Sequence, residues 1–116
     1  MIMTVYSLLK PLDMPIKFLE RPDFGQNKMC VSYHFFNQGD MEFGDGNPTK
    51  KGGSLQVDVY SKKVDYTSIV SDIKNILSNA NFMLFDKRDD LENLSNSEQI
   101  YHKILIFNYV ESEVIE

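Results

Sequence analysis

Gly52–Phe82 reads GGSLQVDVYSKKVDYTSIVSDIKNILSNANF, and the fold turns on this stretch. Leu55, Val57 and Val59 fall on one side of an alternating segment, with Gln56, Asp58 and Tyr60 on the other. A period of two with β-branched residues predicts a strand with one buried face. After the polar turn Ser61–Val64 the period changes. Tyr66, Ile69, Val70, Ile73, Ile76 and Leu77 follow the spacing of a single helical stripe. Asp65 is placed to cap the helix N-terminus, where its carboxylate accepts from free first-turn amides. Asn79 or Asn81 can take the left-handed conformation that ends it. Each large aliphatic buried on that stripe contributes about 1.5–3 kcal/mol, so the helix needs a sheet to lie against.

Upstream, Met29–Phe36 is a second strand, with Val31, Tyr33 and Phe35 on one face and Cys30, Ser32, His34 and Phe36 on the other. Asn37–Asp40 is read as its break and Met41–Phe43 as a short continuation. Gly44–Gly53, with Gly44, Gly46, Gly52, Gly53, Pro48 and two lysines, is read as a long mobile loop. Thr4–Leu9 is a short helix stopped by Pro11, and Pro15–Leu19 a first edge strand. Glu20–Asn27 is turn-rich, broken by Pro22 and Gly25. Downstream, Phe82–Phe85 starts another strand and Asp86–Asn96 is a charged excursion. Gln99–Val110 is a final strand, apolar on both sides, which predicts a cover on each face or a second chain against one of them. The tail ESEVIE is expected to be loose.

The 116 residues suit a single domain. Hydrophobic content of 42% and charged content of 25% are those of an ordinary globular protein. No apolar run approaches the roughly 20 residues of a membrane span, and MIMTVYSLLKP lacks the basic start and small-residue cleavage site of a signal peptide. A lone Cys30 excludes an internal disulfide and fits a reducing compartment. A net charge of -5, from 17 acidic and 12 basic residues, argues against a nucleic-acid-binding surface. It is compatible with a surface that DNA must pass without sticking.

Motifs of catalysis are missing: there is no Walker loop, G-x-S-x-G, H-E-x-x-H or C-x-x-C. Cys30 and His34 share a strand face but at roughly 13 Å, too far for a nucleophile–base pair. His34 and His102 have no third ligand at metal spacing. Asp40, Glu42, Asp45 and Gly46 imitate a calcium loop, but the alternation fails at its fifth position and no bidentate Glu follows. Asp86, Asp89, Asp90 and Glu92 are read as a solvated turn, the rival reading being a charged contact or a repulsive wall facing a polyanion. Tyr33, Phe35, Phe36, Tyr60, Tyr101, Phe107 and Tyr109 are the aromatic set. Such side chains can stack bases, but without a basic groove they read as core plus a protein–protein surface.

The order of features carries a resemblance. It runs from a short N-terminal helix through PIKF, MCVSYHFF, a glycine-rich loop, SLQVDVYSKKVDYTSIVSDIKNIL and NFMLFDKRDD to YHKILIFNY. From Thr4 to Tyr109 this resembles the tail terminator (tail completion, or tail-to-head joining) proteins of long-tailed bacteriophages and prophages. The glycine- and lysine-rich Asp40–Gly53 and the long acidic Asp86–Asn96 depart from the family pattern.

The resemblance implies an α+β subunit, order α-β-β-β-α-β-β, with a mostly antiparallel sheet of four to five strands and both helices on one face. It implies a homohexameric ring on the end of the tail tube that stops tube polymerisation and presents a surface to the head connector. DNA would pass through the hole without specific binding. No cofactor, metal, membrane or catalytic residue is expected. The virion tail–neck junction is the expected location, with host cytoplasm during assembly. Candidate interface residues are Gln56, Asp58, Tyr60, Tyr101, Lys103 and Tyr109. Asp45, Asn47, Lys50 and Lys51 form a candidate assembly loop, and Asp86, Asp89, Asp90 and Glu92 an acidic loop facing the lumen. Rival readings are another neck component, or a small monomeric module that binds single-stranded nucleic acid.

Overall fold

The two periods seen around Gly52–Phe82 produce the expected strand and helix. The computed structural model describes residues 2–41, 50–62, 65–93 and 99–115. In it, helix α1 (Ile2–Leu9) precedes strands β1 (Ile16–Phe18), β2 (Met29–Met41) and β3 (Lys50–Ser61), and helix α2 (Thr67–Asn79) precedes β4 (Met83–Asn93) and β5 (Gln99–Val110). The class is α+β in the expected element order. Five strands form one sheet ordered β1-β2-β3-β5-β4. Only β1 and β2 pair in parallel; the other neighbours are antiparallel.

Both helices lie on the face that carries Leu55, Val57 and Val59. Val5 and Leu9 of α1 and Val70, Ile73 and Leu77 of α2 pack there with Val31, Tyr33, Leu105 and Phe107. The Tyr33 hydroxyl donates to the Ile2 carbonyl at 2.8 Å, fixing α1, which is too short to hold by itself.

The ends of α2 follow local chemistry. Asp65 does accept from the Thr67 amide, at 3.3 Å, but the cap position itself is Tyr66. At the other end Asn81 adopts φ 70°. The Phe82 amide donates to the Leu77 carbonyl at 2.9 Å and the Asn81 amide to that of Ser78 at 3.0 Å, a Schellman motif.

Four segments depart from the sequence reading. The first is Asn37–Asp40, which does not end its strand: β2 runs on to Met41 through an irregularity in register between Phe36 and Gly39, with Asn37 at φ 52°. The bulge absorbs the turn-forming residues without unpairing the strands. Opposite it, Lys50–Gly53 belongs to β3 rather than to a loop; residues 42–49 lie outside those described.

The charged excursion is likewise strand as far as Asn93, because β4 is an edge strand and charges there meet water and discourage further pairing. Residues 94–98 lie outside those described. Finally, the tail is tied down. Glu111–Glu113 form a 3₁₀ turn, Val114 is buried, Asn81 Nδ2 donates to the Glu113 carbonyl at 2.8 Å, and the Ile115 amide donates to that of Ala80 at 3.1 Å.

The bulge explains Gly53. A Cβ there would sit 3.1 Å from Gln38 Cα and the Phe36 carbonyl and 3.2 Å from that of Asn37, all backbone atoms. Gly53→Ala should therefore destabilise the protein by about 1–3 kcal/mol in denaturant unfolding. Gly39→Ala, which meets open space, should change stability by less than about 0.5 kcal/mol.

Candidate functional site

The sheet face away from the helices carries three of the expected interface residues, Gln56, Asp58 and Tyr60. The register sets Cys30, Tyr60 and His102 in one row, Ser32, Asp58 and Ile104 in the next, and His34, Gln56 and Ile106 in a third. One end of this face is covered from within the chain. The Glu20–Asn27 segment lays Phe24 against Cys30 and Ile100, with Tyr60 beside them. Arg21 sits over the rings of Phe24 and Tyr60 at 5.4 and 5.7 Å, and Lys62 over Phe24 at 4.8 Å. All three are cation–π distances. Burial pushes the Cys30 thiol up to about 11, so at neutral pH it stays protonated, and it points to the Pro22 carbonyl at 3.7 Å.

Asp58 lies at the centre of this face and is only 5% exposed. Its Oδ1 is 2.9 Å from His102 Nε2 and accepts from Gln56 Nε2 at 3.0 Å. Oδ2 accepts from Ser32 Oγ at 3.5 Å. The Tyr60 ring stacks on His102 with centroids 4.3 Å apart. A carboxylate hidden from water requires such partners, and these tie β2, β3 and β5 together. Ser32 donates to the carboxylate rather than to the imidazole, so the trio is not a serine–histidine–aspartate relay. Asp58 therefore serves the fold, its carboxylate engaged within the chain. A lone Asp inside an otherwise alternating apolar strand was the sequence signal for this; its reading as surface mistook polarity for exposure.

The other candidates scatter. Tyr109 is 2% exposed and packs among Phe35 and Phe82 in the core. Lys103 and Tyr101 lie on the helix side. Lys103 Nζ is 3.1 Å from both Asp89 oxygens, and Asp89 Oδ1 also accepts from the Tyr66 hydroxyl at 2.8 Å. The Tyr101 ring lies 6.4 Å from that of Tyr66.

The Tyr66 hydroxyl, and then Lys103, hold the Asp89 carboxyl below its ordinary value of 3.8. Their contribution to stability is thus present above that pH and fades as the pH falls through the lowered value. Asp86, Asp89, Asp90 and Glu92 lie along β4, not on a loop, with Asp90 and Glu92 opposite His102 and Ile100. Lys51 is exposed on β3 and Lys50 opens that strand opposite Met41; Asp45 and Asn47 lie outside the described residues. Among the described residues, no three His, Cys, Asp or Glu side chains gather as a metal ion would need.

Exposed apolar surface collects instead near the two ends of the strand order, which sequence reasoning missed. At the β4 edge Met83, Leu84 and Phe85 are exposed, Met83 at 63% and Phe85 at 70%, and Ile115 is exposed on the segment tied to Ala80. The register shifts between Leu84 and Asp86. The extra residue is Phe85, and a bulge of this kind re-aims side chains. Toward the β1 edge, α1 carries no charged residue, and its Ile2, Met3 and Tyr6 are exposed, as is Leu19 just past β1. Ile2 and Met3 line a groove of about 410 Å³ with Phe18, Phe35 and Gln38.

The Asp58 cluster generates a stability prediction. Asp58→Ala removes the shared acceptor of Ser32, Gln56 and His102 and should cost about 3 kcal/mol in denaturant unfolding. Asp58→Leu combined with His102→Leu should cost less than the sum of the two single changes.

No family model matches the chain. No curated protein matches it. Among solved structures, the fold is similar to a chain in the virion of a native gene transfer agent particle, with a TM-score of 0.43 and 9% identity over 91% of this chain and 83% of that one.

Proposed function

We propose that the protein is a structural virion subunit that works by contact between copies, as a tail terminator does. One observation carries the reading: the exposed apolar side chains gather toward opposite ends of a single sheet, at Met83–Phe85 beside β4 and on α1 and Leu19 beside β1. Two different patches at opposite ends are what a heterologous, head-to-tail contact uses, and such contacts close into rings when the rotation between neighbours allows. The groups best suited to chemistry are otherwise engaged. The Cys30 thiol is protonated and buried, and Ser32 donates to Asp58.

In this reading a homohexameric ring caps the tail tube, ends its growth and offers a docking surface to the head connector, in the neck of the virion. The net charge of -5 suits a lumen through which DNA slides without binding. The resemblance of the whole element order to tail terminators supports this assignment over a general contact protein.

Sizing and electron microscopy of the purified protein test it. Concentrated protein should form rings with a central hole in the absence of any other component. A monomer at every concentration that binds oligonucleotides in a salt-sensitive manner would overturn the proposal in favour of a nucleic-acid module.

A further inference from the structure

We infer that the contact between copies is a knob in a groove: Phe85 of one subunit, flanked by Met83 and Leu84, enters the groove between α1 and the β1–β2 edge of the next. The inference rests on the ring-forming reading above and gives it a specific pair of surfaces. Phe85 is the extra residue where the β4 register shifts, and at 70% exposure it projects rather than packs. A protein that leaves an aromatic ring so wet, beside Met83 at 63%, presents the kind of anchor that dominates interfaces.

The groove matches it in size and chemistry. Its volume of about 410 Å³ accommodates a phenylalanine ring with neighbouring apolar side chains, and among the described residues its walls are Ile2, Met3, Phe18 and Phe35, with Gln38 as the polar side chain. Phe18 and Phe35 already meet at 6.2 Å between centroids, so a third ring can add edge-to-face or offset contacts. Among the described residues no ionised side chain lines the groove, and none stands among Met83, Leu84 and Phe85, so their docking strips water from apolar surface without burying a charge of theirs.

A second copy is the occupant that accounts for both features at once. The knob is on the β4 side and the groove on the β1 side of the same sheet. One type of contact between identical chains thus covers both, and an open row of subunits is left with one free knob at one end and one free groove at the other until the ring closes.

The test is disulfide trapping of Met3→Cys/Phe85→Cys. Both positions are exposed, so the fold is retained, and Cys30 is buried and protonated and stays out of the exchange. Oxidation of the double variant should give a ladder of covalent multimers on non-reducing gels, whereas either single variant stops at a dimer. Phe85→Ala should weaken self-association about 30-fold by sedimentation. Rings that form without cross-linking, and with undiminished affinity after Phe85→Ala, would overturn the knob and groove while leaving the ring reading intact. A wild-type chain that never self-associates would remove the ring reading and this contact with it.

Discussion

Two helices of 8 and 13 residues can cover one face of a five-stranded sheet and no more, and the rest of the molecule is shaped by what they leave bare. On the covered face, apolar side chains from β2, β3 and β5 meet two short helical stripes. At about 1.5–3 kcal/mol for each large side chain, this is the main source of stability. Neither helix is long enough to persist alone. The sheet holds the helices, and the helices dry the sheet.

The uncovered face is made safe by two local devices rather than a second layer. Phe24 folds back over Cys30 and Ile100 under the cations of Arg21 and Lys62. Further along, Asp58 collects Ser32, Gln56 and His102, so that strands which would otherwise present bare polar groups satisfy one another. Such a face has Ser32, Gln56 and Asp58 engaged within the chain and little incentive to bind. The incentive lies at the sheet edges, where α1 and the start of β4 keep apolar side chains in water.

Legibility in the sequence followed the physics of each element. The β3–α2 unit was readable because its two periods are clean and its flanking residues, Asp65 and Asn81, do what short polar side chains do at helix ends. The long reach of β2 and β3 was hidden by Asn37, Gly39, Gly52 and Gly53. These residues signal turns, yet here they build a bulge in which Gly53 is required by close backbone approach. β4 was hidden by its charges, since an edge strand needs no apolar alternation.

The candidate site fared differently. Strand alternation made Asp58 and Tyr109 candidates for a subunit surface, while packing and hydrogen bonds within the chain bury both. The exposure of Met83, Leu84 and Phe85 was invisible, because an apolar run opening a strand reads as core. Only the strand order reveals that the run opens an edge strand.

The proposed ring asks for a stable body, two unlike contact surfaces and a face that resists misassembly; the proposal assigns the contacts to the two edges and leaves the open face out of them. Hydrogen exchange compared between dilute and concentrated protein tests this division most directly. The account predicts added protection at Ile2–Leu9 and Met83–Phe85 on concentration, with Gln56–Tyr60 unchanged. Protection gained across Gln56–Tyr60 and absent from both edges would contradict it.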